Sequence, residues 1–258
     1  MGAQREALVL CYHGISDSWP SDLAVSPERL REQLRHLLRR GYAGATFTAV
    51  ARGAVPGKAL AVTFDDGYTS VMERALPILD EFGLPGTVFV TTDFVGRDIP
   101  MNWPQVEKWR RTEHEKELSC LDWDQLRALE AKGWEVGAHS RSHPRLTELD
   151  PDELAQELAG AREEVTTAMG RICTSIAYPF GDFDDRVAEA ADEAGYEAAG
   201  TMQPGPPDPL RFPRVGVFPH DFDFRFRAKV SRTMLRMRSS AVGRPIEHRR
   251  QAALKRQS

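Results

Sequence analysis

Apolar and polar positions repeat along this chain with two periods, and the two periods take turns. Short, nearly continuous apolar runs fall at Ala7–Tyr12, Ala59–Asp65, Thr87–Thr91, Glu135–His139, Ser175–Tyr178, Glu197–Gly200 and Arg214–Val217. Between them lie stretches with helical spacing, at Pro27–Arg40, Ser70–Phe82, Asp124–Lys132, Pro151–Met169 and Asp184–Ala194. Ser26 before Pro27 and Asp150 before Pro151 read as N-caps followed by proline at the first helical position. Gly41, Gly83, Gly133, Gly170 and Gly195 stand just past the five helices, as C-terminal stops do. Strands that are apolar throughout are buried on both faces, so the alternation predicts parallel strands covered by helices. Seven such strands point to an α/β barrel, complete or incomplete.

Composition adds bounds to that picture. A chain of 258 residues, 41% hydrophobic and 28% charged, fits one large α/β domain better than two small ones. No run approaches the ~18 apolar residues of a membrane span. Met1 to Glu6 pass into the first strand with no charged-then-apolar leader, which predicts a cytoplasmic protein. Cys11, Cys120 and Cys173 are odd in number and far apart, so free thiols are expected.

The net charge of −4 is unevenly spread: residues 225–258 hold eleven Lys or Arg and a single acid, Glu247. The expected organisation is a barrel over residues 1–224 and a basic tail over 225–258, part helical or disordered. Within the tail, Phe226, Val230, Met234 and Met237 recur at helical spacing, ringed by basic residues. Two readings stand. The stripe lies on an anionic membrane surface, bringing the protein to a lipid-linked saccharide, or it packs on the barrel. No nucleic-acid partner is expected.

Chemistry concentrates at two strand ends. Thr63-Phe64-Asp65-Asp66-Gly67 closes the second strand, and His139-Ser140-Arg141-Ser142-His143-Pro144 closes the fourth. If these ends are neighbours, one carboxylate and two imidazoles can hold a divalent ion, zinc or another imidazole-accepting first-row metal. In a His-Glu-x-x-His helix the base travels between the ligands; here that position is Ser140, so the base must come from elsewhere. Successive strand residues face opposite ways, so one of Asp65 and Asp66 can ligate while the other activates water. Gly67 permits a sharp exit from the strand, and Pro144 limits the histidine segment to about one turn. Asp93–Ser119 is the longest connection. Its Trp103 and Trp109 offer either a stacking platform for sugar or a tether for the loop itself.

These motifs resemble those of the polysaccharide deacetylases, the NodB-homology domain of carbohydrate esterase family 4. Thr-Phe-Asp-Asp-Gly and His-Ser-x-x-His match the family's first two motifs, and the resemblance runs from about Val9 to about His220. It implies a distorted (β/α)7 barrel of the glycoside hydrolase/deacetylase type. It also implies Asp66, His139 and His143 as ligands of a divalent ion, zinc first and Mn, Co or Ni as alternatives, and Asp65 as general base. The implied activity is metal-dependent removal of an N-acyl group, chiefly N-acetyl, from an amino sugar of a carbohydrate substrate. An amidohydrolase of non-sugar amides and a catalytically weakened glycan-binding barrel are the rival readings.

The chain departs from the family pattern in three motifs, of which the Trp-bearing fourth has no clear match after Gly181. The third motif, Arg-Pro-Pro-Tyr-Gly, corresponds here to Ala177-Tyr178-Pro179-Phe180-Gly181, so the Arg that holds the catalytic Asp is missing. The Phe180 N–H can still serve an oxyanion, and Arg214 on the last strand is the expected substitute for the missing guanidinium. The fifth motif, Leu-x-His, finds only Phe218-Pro219-His220, which makes His220 the expected general acid. His13, at the end of the first strand, and Tyr178 are expected to contact substrate.

Overall fold

The computed structural model describes residues 6–239. Its frame is a ring of parallel strands: β1 Glu6–Tyr12, β2 Lys58–Phe64, β3 Thr87–Val90, β4 Glu135–Ala138, β5 Ser175–Ala177 and β6 Ala198–Thr201. Each pairs with the next in sequence. The ring closes through one stretch of chain. Its first part, β7 Phe212–Pro213, pairs with β6, and its second, β8 Val215–Gly216, pairs with β1. Arg214 sits at the change of partner. The result is the expected distorted (β/α)7 barrel, with helices α1 Pro27–Arg39, α2 Leu76–Glu81, α3 Trp123–Ala131, α4 Pro151–Met169 and α5 Asp185–Glu193 outside it.

Alternation along the strands divides the core. Leu8, Leu10, Tyr12, Leu60, Val62 and Phe64 face outward into the layer between strands and helices. Val9, Ala59, Ala61, Phe89, Ala177 and Phe212 face inward. The inward residues are mostly small, which leaves room for polar side chains farther along the barrel. At the N-terminal end of β3 the short helix Phe47–Ala51 closes the barrel. The Phe47 ring packs at 5.3 Å from Phe89, and its backbone N–H donates to Thr87 Oγ1.

Capping follows the expected chemistry. Ser26 accepts from the Arg29 N–H, Asp150 and Glu153 form a capping box, and Gly170 ends α4 at φ 68°. The segment expected as one helix over Ser70–Phe82 is instead a π-helical turn, Val71–Ala75, leading into α2. Pro77 is the reason: it has no N–H to give an i→i−4 bond.

The apolar stripe of the tail is also divided. Residues 223–239 form two helices, α6 Asp223–Lys229 and α7 Arg232–Ser239, rather than one. Phe226 and Val230 are buried on the barrel, whereas Met234 and Met237 are exposed. Lys229 anchors α6 through Asp221 Oδ2, 2.5 Å away, and the Gly216 carbonyl. The remainder of the expected tail lies outside the described residues. Among those described, no helix is long and apolar enough to cross a membrane.

Candidate active site

The inward row of β2 runs Ala59, Ala61, Thr63 and on to Asp65, so the period of two that builds the core also delivers a carboxylate to the barrel's C-terminal mouth. Arg214 comes from the stretch beyond β1, two places round the ring, and is fully buried. Its guanidinium meets Asp65 as a fork, Nη1 to Oδ1 at 2.6 Å and Nη2 to Oδ2 at 2.7 Å, and also reaches Thr63 Oγ1 at 3.2 Å. Space for it comes from Gly200, where a Cβ would lie 2.7 Å from Arg214 Nε. Burial alone would raise the Asp65 carboxyl; Arg214, helped by His139, outweighs it and holds the group well below the usual carboxylate range. The Arg214 that fills the gap left at Ala177 is thus in contact with Asp65.

Asp66 points elsewhere because its backbone turns left-handed, at φ 72°. The two carboxylates part through that turn, not through strand alternation, since β2 ends at Phe64. Asp66 Oδ1 lies 3.3 Å from His139 Nε2 and 3.4 Å from His143 Nε2. The histidine segment is not a helical turn: Ser140 and His143 adopt φ 61° and 66°. With Asp66 and Phe180, four of the five non-glycine residues at positive φ among the described residues belong to this site, and strain concentrated there is a mark of function.

The trio has the chemistry of a cation site. His139 Nδ1 is 2.7 Å from the Ala177 carbonyl, so it carries the proton and leaves an Nε2 lone pair facing Asp66. That lone pair and the carboxylate oxygen repel one another unless positive charge stands between them. Asp66 Oδ1 is buried and has no hydrogen-bond partner among the described residues. Donors about 2.1 Å from a tetrahedral ion are about 3.4 Å apart, close to the spacing seen. Burial drives the His143 ring down to about 3, keeping it neutral. His139 goes the other way: burial opposes its charge, but Asp65 and Asp66 win and raise it, so the pocket favours positive charge at this point. The residues fit a divalent ion.

A second group, Cys11, His13 and Asp65, also brings donor atoms within 4.8 Å of one another. The Arg214 guanidinium already supplies positive charge beside Asp65, which disfavours a second cation in this group. The buried Cys11 thiol donates to Asp65 Oδ2 at 3.3 Å. Sequence reasoning passed over Cys11. The signal was present in its inward place on β1 and its register opposite Thr63.

A cleft of about 620 Å³ opens over these groups, lined by His13, Asp65, Asp66, His139, His143 and Phe180 among others. His13 Nδ1 is buried and has no hydrogen-bond partner among the described residues. His220 is not in the cleft. The Phe218 N–H donates to Asp221 Oδ2, and the turn so formed leaves His220 exposed, stacked on the Phe218 ring at 5.6 Å. Tyr178 is not in the cleft either. It is buried in the outer layer against Phe183, its hydroxyl donating to the Leu210 carbonyl. Trp103 is 5% exposed and stacks on His143 at 4.2 Å and 22°, and Trp109 packs on Trp19. The long loop is therefore tethered by its aromatics, and Trp103 backs a ligand-type histidine.

A sequence profile described as polysaccharide deacetylase matches residues 52–199, the stretch that carries Asp65, Asp66, His139, His143 and Phe180. The chain belongs to the polysaccharide deacetylase family. Among its relatives, YxkH of Bacillus subtilis (strain 168), named for the same family, is 25% identical over 202 residues, covering 76% of this chain and 64% of YxkH. The poly-beta-1,6-N-acetyl-D-glucosamine N-deacetylase of Escherichia coli (strain K12) is 22% identical over 239 residues, covering 77% of this chain and 34% of its own. The chain thus spans less than two thirds of the length of these relatives. The deacetylase PplD of Streptococcus pyogenes, solved in complex with acetate, shares the fold. Its TM-score is 0.73 at 20% identity, over 90% of this chain and 100% of PplD.

Proposed function

We propose that this chain is a metal-dependent hydrolase that removes an N-acetyl group from an amino sugar. The observation that carries the proposal is the pairing, in one cleft, of a cation-fitting Asp66–His139–His143 trio with a second carboxylate, Asp65, clamped by Arg214. Membership of the polysaccharide deacetylase family supports the same reading.

Asp66, His139 and His143 would hold the ion, with zinc the best fit to two imidazoles and a carboxylate and Mn, Co or Ni acceptable to the same donors. Once bound, such an ion supplies Lewis-acid polarisation of the amide and acidification of water. Asp65 takes the proton of the attacking water. Arg214 forks onto both oxygens, fixing the plane of the carboxylate and keeping it ionised, and Asp65 lines the cleft where the water would sit. The backbone N–H of Phe180 donates to the oxyanion of the tetrahedral intermediate. The leaving amine needs a proton to depart as a neutral amine, and His13 is the residue we propose to give it. His13 lines the cleft, as a general acid must.

The test is an amine-release screen of the zinc-loaded protein over N-acetylglucosamine oligomers, N-acetylated amino-sugar monomers and simple non-sugar amides. Release from the sugars is expected. Release only from the simple amides, or tight sugar binding with no release, would replace the proposal with one of its rivals.

A further inference from the structure

Arg145 lies two residues beyond His143, and nothing in the reaction just described uses it. It lines the cleft, and its guanidinium carbon rests 4.4 Å from the centroid of the Phe180 ring. The same ring meets His143 at 4.6 Å and 67°. Phe180 adopts φ 59°, an unfavourable conformation for an aromatic residue, and in it the ring contacts both side chains. Arg145 is thereby held beside the catalytic groups.

Two acids stand near its charge, but it hydrogen-bonds to neither. The nearest acids are Asp182 Oδ2 at 3.9 Å and Glu148 Oε1 at 4.0 Å, the outer edge of ion-pair range. Asp182 is engaged by Thr147 and Gln203 at hydrogen-bond distance. Among the described residues no acceptor forms a hydrogen bond with the Arg145 guanidinium, which carries five N–H donors in a fixed fork. Lys108, another cleft-lining residue, is matched less still. Its ammonium lies 5.1 Å from the Trp109 ring, with no acid in ion-pair reach among the described residues. The carboxylates deepest in the cleft are already committed, Asp65 to Arg214 and Asp66 to the histidines.

Resting on the reading of the cleft as an amino-sugar deacetylase site, we propose that Arg145, assisted by Lys108, forms an anion subsite. The substrate is then an N-acetylated amino sugar that itself carries a carboxylate or a phosphate. A planar fork with free donors suits either group, since both present paired oxygens. Arg145 acts here as a specificity-determining residue, outside the proton transfers.

Calorimetry on the zinc-loaded, full-length protein tests this with three probes: N-acetylglucosamine, N-acetylmuramic acid and N-acetylglucosamine 6-phosphate. At least one anionic sugar should bind about tenfold or more tighter than the neutral one, and the two anionic probes distinguish carboxylate from phosphate. Arg145→Gln should abolish the preference while leaving metal content and affinity for the neutral sugar unchanged. Lys108→Met should reduce it, and Arg145→Lys should keep part of it. Equal binding of all three probes would overturn the subsite. So would an Arg145→Gln loss that falls equally on neutral and anionic sugars, because that is the signature of Arg145 merely packing Phe180. Amine release measured alongside keeps the two proposals apart. Release without anion preference sinks only the subsite, and anion preference without release sinks only the deacetylase reading.

Discussion

Replacing Arg214 with methionine removes the counter-charge of a carboxylate that is only 3% exposed. Methionine keeps much of the aliphatic bulk beside Gly200 and Phe89, so the main loss is the two-bond contact to Asp65 at 2.6 and 2.7 Å. Leaving one member of a buried pair unpartnered costs about 3–5 kcal/mol. At about 2–4 °C per kcal/mol for a domain near this size, the melting temperature should fall by about 6–20 °C. The double variant Asp65→Asn/Arg214→Met leaves no buried charge from the pair and should recover most of that loss. Because Asp65 titrates below its ordinary range when folded, its stabilising contribution is complete above about pH 4, the unfolded value. It drains away as pH falls toward the lower folded value. The stability gap between wild type and Arg214→Met should therefore be full at neutral pH and narrow in acid. Urea and thermal unfolding across pH, run on wild type, both single variants and the double variant, measure each quantity. An Arg214→Met protein within about 1 kcal/mol of wild type at pH 7, or a double variant no more stable than Arg214→Met, would refute the reasoning.

Gly200→Ala should lower turnover while sparing metal content, since its Cβ would lie 2.7 Å from Arg214 Nε and the guanidinium must move to admit it; unchanged kcat would show that Asp65 does not depend on the position of Arg214. His13→Gln should cost about 10²–10⁴-fold in kcat, the range of a positioned acid, whereas His220→Gln should stay close to wild type because that ring is exposed and stacked on Phe218. A large loss for His220→Gln with none for His13→Gln would reverse the assignment of the proton donor.

Much of the architecture can be read in the sequence because one physical rule, alternation along a strand, sets both core and site. It places Ala59, Ala61, Thr63 and Asp65 in one inward row, reached by Arg214 packed on Gly200, the register partner of Ala177. The same rule turns Tyr178 outward once Ala177 faces in, and places Cys11 beside Asp65. Both placements follow from strand parity, which motif position alone does not convey. His220 is a different case. Its direction depends on Asp221, which accepts from Phe218 N–H and is tied to Lys229, and no local periodicity encodes a turn held by a residue on the following helix. The support of His143 by Trp103 is likewise tertiary, made by a long loop folding back over the barrel mouth. Proline at position 77 was visible, but whether it would end the helix or convert its first turn to π-geometry depends on packing around Val71 and Ala75.

The central claim is that adjacent aspartates have separate jobs, Asp66 with the histidines in holding a divalent ion and Asp65 in moving a proton. Metal stoichiometry and amine release, measured together on wild type, Asp65→Asn, Asp66→Asn and His139→Ala, test it most directly. The account predicts about one ion per chain in wild type and in Asp65→Asn, with release from an N-acetylated amino sugar lost by about 10²–10⁴-fold in Asp65→Asn. It predicts little or no bound metal in Asp66→Asn and His139→Ala. Loss of metal from Asp65→Asn with retention in Asp66→Asn, or undiminished amine release by Asp65→Asn, would contradict it.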